Sequence, residues 1–116
     1  MKVAHIKDVL PVAMDNELVK NVTGRLLIGR EDGAANFCMR YFEIGKGGHT
    51  PKHIHDWEHE VFVHSGEGEV LIKDTWHTLT KGTAVLVPKG IDHQFKNTSD
   101  DNFVFLCMIP SGAPDL

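Results

Sequence analysis

From residue 24 to residue 110 helical periodicity is hard to find, and this confines the chain to all-β architectures. Short β-branched and aromatic runs recur instead, each closed by glycine, proline, aspartate or asparagine. They are "GRLLIG" (24–29), "NFCMRYFEIG" (36–45), "EVFVHSG" (60–66), "GEVLIKD" (68–74), "WHTLTKG" (76–82), "TAVLVP" (83–88), "HQFKN" (93–97) and "NFVFLCMIP" (102–110). A recurrence of roughly 8–12 residues is that of a sandwich or closed barrel. The sequence therefore predicts a small antiparallel barrel with short turns. "VPKG" (87–90) reads as a type I turn with Pro88 second and Gly90 fourth, and Lys73 and Asp74 tip a hairpin. "AMDNELVKNV", within the first 23 residues, suits a short helix or an extra strand. The expected division is an N-terminal strand or arm over 1–23, one barrel over 24–110 and a tail over 111–116.

A chain of 116 residues is long enough for one core and too short for two. Its net charge of −4 supplies no basic field for a phosphate backbone, which argues against nucleic acid as a partner. No segment has the apolar length of a signal peptide or a membrane span. Cys38 and Cys107 match no CxxC pattern and read as reduced, buried thiols, so a cytoplasmic protein without membrane contact is expected.

Histidine is the outlier, with eight residues, three of them in "HIHDWEH" (53–59) ahead of an apolar run. If this segment is extended, His53 and His55 project to one side, roughly 6.5–7 Å apart at Cα. That separation lets two imidazoles meet one ion at about 2.0–2.2 Å each. His59 has the same parity, and a bend at residues 56–58 would return it to the same ion. Val61 and Val63 then continue inward, with Phe62 and His64 opposite. A lone His-x-His on a wet edge strand is common, so a second, distant segment has to carry the metal reading. "GTAVLVPKGIDHQFKN" (82–97) is that segment, because it ends a strand in a tight turn and delivers His93 at the start of the next.

Together the two segments resemble the paired motifs of the cupin family. Gly47, His53, His55, His59 and Gly66 occupy the places of the first motif. Gly82, Pro88, Gly90, His93 and Asn97 occupy those of the second, with residues 67–81 between them. The resemblance implies a double-stranded β-helix, or jelly-roll barrel, and a divalent metal on His53, His55, His59 and His93. Most such cupins carry glutamate where His59 stands; Glu58 and Glu60 flank it, but a one-residue shift in a strand turns a side chain to the other face. The sequence thus looks most like the small four-histidine cupins, a manganese-containing group included. "DWEHE" (56–60) and "FLCMIP" (105–110) resemble segments found there. One ion per chain is implied, manganese by resemblance, with iron, nickel, zinc or cobalt as alternatives.

Four neutral ligands leave the ion its full charge, and two open positions would suit enolates, carboxylates or 1,2-diols. Three functions follow: a metal-dependent enzyme on a small oxygenated molecule (dioxygenase, isomerase or cyclase type), a non-catalytic binding or sensing protein, or a barrel with a structural metal. Parity puts Phe37, Met39 and Tyr41 on one face of their strand and Cys38, Arg40, Phe42 and Ile44 on the other. The pocket-lining candidates are Phe37, Met39, Tyr41, Trp57, Phe95 and Cys107, although each apolar one also suits plain core filling. Trp57 fits either the pocket mouth or a dimer contact. Arg40 reads as a solvated or interface residue, or else as a clamp for a carboxylate. Tyr41 and Glu60 are the nearest proton-transfer groups, and Asn97 is expected to stabilise its turn. His5, His49, His64 and His77 lack converging partners and read as surface or interface residues. Phe42 and Phe62, on the apparent outer parity, need cover, which predicts a homodimer.

Overall fold

A computed structural model describes residues 1–114; of the tail expected at 111–116, residues 115 and 116 lie outside the described residues. The strands are β1 (Val12–Met14), β2 (Lys20–Ile28), β3 (Phe37–His49), β4 (His59–Ser65), β5 (Gly68–Ile72), β6 (Thr75–Leu79), β7 (Ala84–Val87), β8 (His93–Asn97) and β9 (Phe103–Pro110). Short 3-10 turns cover Ile6–Asp8 and Arg30–Asp32. All strand pairs are antiparallel and join into one curled sheet in the order β6-β5-β8-β3-β9-β4-β7, with β2 beside β3 and β1 beside β2. The open choice within the first 23 residues resolves toward strand. Val12–Met14 pairs with residues 22–24, and pairing to β3 already begins at Lys20.

β3 organises the barrel because it serves both walls. Residues 39–44 pair with β2 on one side, residues 37–44 pair with β9 on the other, and His49 pairs with Lys96 of β8. The strand turns between the walls at Gly47 and Gly48. Gly47 has φ of +73°, and a Cβ on Gly48 would lie 2.6 Å from the carbonyl oxygen of Lys20. Only glycine meets both demands cheaply.

The core lies between the walls. Val61 and Val63 of β4 and Phe103, Phe105, Cys107 and Ile109 of β9 are buried, and each strand alternates with more exposed neighbours from Glu60 or Leu106 onward. Phe105 joins the aromatic residues of three strands, with ring centroids 4.7 Å from Phe95, 5.2 Å from Phe103 and 5.6 Å from Phe42. Burying one such side chain contributes about 1.5–3 kcal/mol. Asn97 fastens the turn that follows β8: its Nδ2 donates to the carbonyls of Ile44 (2.8 Å) and Asp101 (2.7 Å), and its Oδ1 accepts from Ser99 N (2.8 Å).

Of the two turns read in the sequence, the tip at residues 73 and 74 stands where expected and the other differs in detail. Gly90 has a left-handed φ of +72°, and the turn is centred on residues 89 and 90. Glycine in that conformation fits the third position of a type II turn, so the turn sits one residue later than a type I reading of residues 87–90. At the β5–β6 tip Lys73 itself takes φ of +60°, matching the right-handed strand twist better than an ordinary turn would.

Candidate metal centre

Two strand starts and one loop bring four histidines together. His59 opens β4 opposite Val87, and His93 opens β8 opposite Ile72. His53 joins the sheet only by a bridge to His93, with N–H···O distances of 3.1 and 3.0 Å in the two directions. The chain then bends at residues 56 and 57, which returns His59 toward the pair before it. The Pro88–Gly90 turn secures this loop, since Gly90 N donates to the carbonyl of His55 at 2.8 Å.

One ligand atom from each of His53, His55, His59 and His93 falls within 4.8 Å of every other. Nε2 of His55 and Nε2 of His59 approach to 2.8 Å, and Nε2 of His93 is buried with no hydrogen-bond partner. Two nitrogens at metal distance from one ion and at right angles to each other lie about 3.0 Å apart. The spacing and the orphaned nitrogen therefore fit a shared ion. Nδ1–H of His53, His55 and His93 donates to the carbonyls of Pro51 (3.0 Å), Trp57 (2.9 Å) and Ile91 (2.9 Å). A neutral imidazole with its proton on Nδ1 leaves the Nε2 lone pair free for a metal. The indole of Trp57 also stacks on His55, with centroids 4.0 Å apart and planes 4° from parallel.

The local field keeps these rings neutral. Burial, then the neighbouring His93 and His55, lowers the pKa of His53 to about 4. Burial likewise lowers His55 and His93, partly offset at each by its carbonyl bond. His59 is pushed down furthest, by burial first and the Arg40 guanidinium second. Near neutral pH all four are therefore ligand-competent without losing a proton.

The cluster lines a cavity of about 420 Å³. Trp57, Phe95 and Cys107 share its wall, and so do residues that parity alone had not marked: Arg40, Phe42 and Ile54. The face assignment on β3 is corrected. Cys38, Arg40, Phe42 and Ile44 are the buried set, whereas Phe37 is 59% exposed and Met39 and Tyr41 are half-buried on the outer face. Alternation fixes only which residues share a face. Each set carries one charge, Arg40 or Glu43, so polarity did not choose between them.

Arg40 is accordingly no solvated residue. Its Nη2 lies 3.1 Å from His59 Nδ1 and 2.9 Å from Cys107 Sγ, and Phe42 turns inward beneath it. Neither proton-transfer guess reaches the cavity wall. Tyr41 faces outward, with its pKa raised by burial and by Glu43, and Glu60 is exposed on the outer face of β4. His5, His49, His64 and His77 stand outside the cluster, and the signal for Arg40 was its register opposite Cys107.

A curled antiparallel barrel with a four-histidine cluster that fits a shared ion defines a class of barrels, and comparison with known proteins assigns it. The family profile described as a cupin domain matches residues 40–109, more than half of the chain, and the chain belongs to that family. It is 32% identical over 71 residues to 1-methylthio-D-xylulose 5-phosphate methylsulfurylase of Rhodospirillum rubrum, covering 61% of this chain and 46% of that one. It is 34% identical over 76 residues to protein SchB of Streptomyces halstedii, covering 65% and 55%. The chain thus spans about half the length of the curated relatives it matches. Among solved structures, the polyketide cyclase RemF from Streptomyces resistomycificus superposes with a TM-score of 0.90 at 32% identity, over 98% of this chain and 82% of that one. No helix among the described residues is long and apolar enough to cross a membrane.

Proposed function

We propose that this cupin holds one divalent ion per chain on His53, His55, His59 and His93 and is a metal-dependent enzyme acting on a small oxygenated molecule. The observation that carries the reading is the convergence of four neutral imidazoles on the wall of an apolar-lined cavity. An ion held there supplies a Lewis-acidic centre for an oxygen donor such as an enolate, carboxylate or diol. His53, His55 and His93 are oriented by their carbonyl-bound Nδ1 atoms, while Phe42, Phe95 and Phe105 exclude water from the inner side. Similarity to a polyketide cyclase and to a methylsulfurylase supports the cyclase, isomerase or oxidoreductase type over a purely structural metal. Manganese is the proposed ion.

A second reading, non-catalytic ligand binding, is favoured by the absence of carboxylate, lysine or tyrosine from the cavity wall among the described residues. Two further elements complete the proposal. Free, buried Cys38 and Cys107 suit a reducing cytoplasm. A homodimer is supported by the outer face of the sheet, where Leu106 of β9 lies between Tyr41 of β3 and Phe62 of β4 and where Phe37 and Leu86 are also exposed. A monomer in sedimentation at micromolar concentration would remove the dimer from this account.

The test is metal content of protein purified without an affinity tag, beside a His59→Glu variant. The parent is expected to carry about one divalent ion per chain and the variant an altered metal preference. Small diols or dicarboxylates should perturb the bound metal. A folded protein that takes up no divalent ion ends the metal reading.

A further inference from the structure

Arg40 is the one Asp, Glu, Lys or Arg in the cavity wall among the described residues, and it is only 7% exposed. A guanidinium withdrawn from water is costly unless an anion accompanies it. None does among the described residues, whose ion pairs are Lys2–Asp32, Lys20–Asp15, Arg25–Glu43, Lys46–Asp100 and Lys96–Glu69. Among the described residues the polar contacts of Arg40 are His59 Nδ1 and Cys107 Sγ, and its buried Nε has no partner. Its guanidinium carbon lies 5.0 Å from the centroid of the Phe42 ring. The four imidazoles beside it add no negative charge. The cavity therefore holds an uncompensated cation in a wall that carries no Asp, Glu or Lys among the described residues.

We propose that Arg40 is a ligand anchor that pairs with a carboxylate on a small molecule whose remaining body is apolar or aromatic. This deepens the functional reading above by naming a substrate class, and it rests on the same cavity being the binding site. Because Arg40 touches His59, a carboxylate paired with it lies on the histidine side of the cavity and not at its mouth. A charged group there gains from the low local dielectric that makes the bare guanidinium costly. The apolar body then packs on Val22, Phe42, Phe95 and Phe105. The cavity volume of about 420 Å³ suits a molecule of one or two rings.

Benzoate and benzamide share a shape and differ in charge, so they separate the anchor from simple apolar filling. Titration calorimetry in metal-stripped protein reads the anchor without any contribution from a metal. The stripped parent is expected to bind benzoate at least about tenfold more tightly than benzamide. Arg40→Met should abolish that preference, leaving benzoate bound no more tightly than benzamide. In the parent, the ¹⁵N-detected Nε–H resonance of Arg40, assigned by its loss in Arg40→Lys, should shift with benzoate and not with benzamide. That readout decides the matter even where Arg40→Met does not fold. Equal affinities, no binding of either probe, a preference that survives Arg40→Met, or an Nε–H resonance unmoved by saturating benzoate each overturns the proposal. Stoichiometric metal uptake without a charge preference defeats the anchor and leaves the metal reading standing, whereas a charge preference without metal uptake does the reverse.

Discussion

His53, His55 and His93 differ from His59 in what stands behind the ring. The first three donate Nδ1–H to main-chain carbonyls at 2.9–3.0 Å. His59 has no carbonyl there; its Nδ1 meets Cys107 Sγ at 3.1 Å and Arg40 Nη2 at 3.1 Å. A carbonyl is present whatever side chain its residue carries, so the path of the loop sets three tautomers. The fourth depends on two side chains from β3 and β9, which evolution or an experimenter can exchange. For Nε2 of His59 to face a metal, its proton must sit on Nδ1; the Cys107 sulfur is the acceptor within reach, whereas the Arg40 guanidinium, a donor only, favours the opposite tautomer. The contrast separates a backbone-held part of the site from a side-chain-held part.

The largest expected effect comes from deleting a backbone-held ring. His93→Ala should weaken metal binding by more than the roughly 10–100-fold cost of losing an outer partner. Chelator competition on the folded variant measures it. A loss smaller than tenfold would show that His93 does not share an ion with the other three rings.

Next in size is the support of His59. Cys107→Val removes its sulfur acceptor and is expected to cost about tenfold or more in metal affinity. Cys107→Ser, which restores an acceptor, should recover part of it. Ile91→Ala keeps the carbonyl behind His93 and should cost far less than Cys107→Val. If the Ile91 and Cys107 variants behave alike, the distinction between the two kinds of support fails.

The same contrast explains what could be read from the sequence. His53, His55, His59 and His93 were visible because motif spacing is a local property, and the turn that delivers His93 is written in Pro88 and Gly90. The inner face of β4 was visible too, since Val61 and Val63 alternate with Glu60, Phe62 and His64. β3 was not. Both of its faces are largely apolar, one because it meets the core and one because it lies on the exposed apolar side of the sheet. Alternation without polarity cannot say which face is inside. The sequence therefore leaves Arg40 as a solvated or interface residue or else a carboxylate clamp, and its place beside His59 comes through the β3–β9 register. The N-terminal strand was ambiguous for a related reason. Three residues, Val12–Met14, carry too little pattern, and pairing with β2 decides their conformation.

The smallest effect is the order in which the rings take up protons in metal-free protein. A carbonyl bond favours the protonated imidazole, and it opposes burial at His53, His55 and His93. His59 lacks that support and also faces a cation, so it should protonate last as pH falls. The sign for stability follows from the same shifts. An unfolded imidazole titrates near 6.5, whereas His53 in the fold titrates at about 4. Between those values the unfolded chain binds more protons, so stability is complete above about pH 6.5 and declines as pH falls toward 4. Thermal melts of metal-free protein from pH 7.5 to 5 should show a falling midpoint, and imidazole NMR should show His59 still neutral when His53 has begun to titrate. A midpoint that stays flat across this range would mean that the folded rings titrate like unfolded ones. Protonation of His59 ahead of His53 would mean that Arg40 and burial do not govern it, and the division between backbone-held and side-chain-held rings would then have no electrostatic consequence.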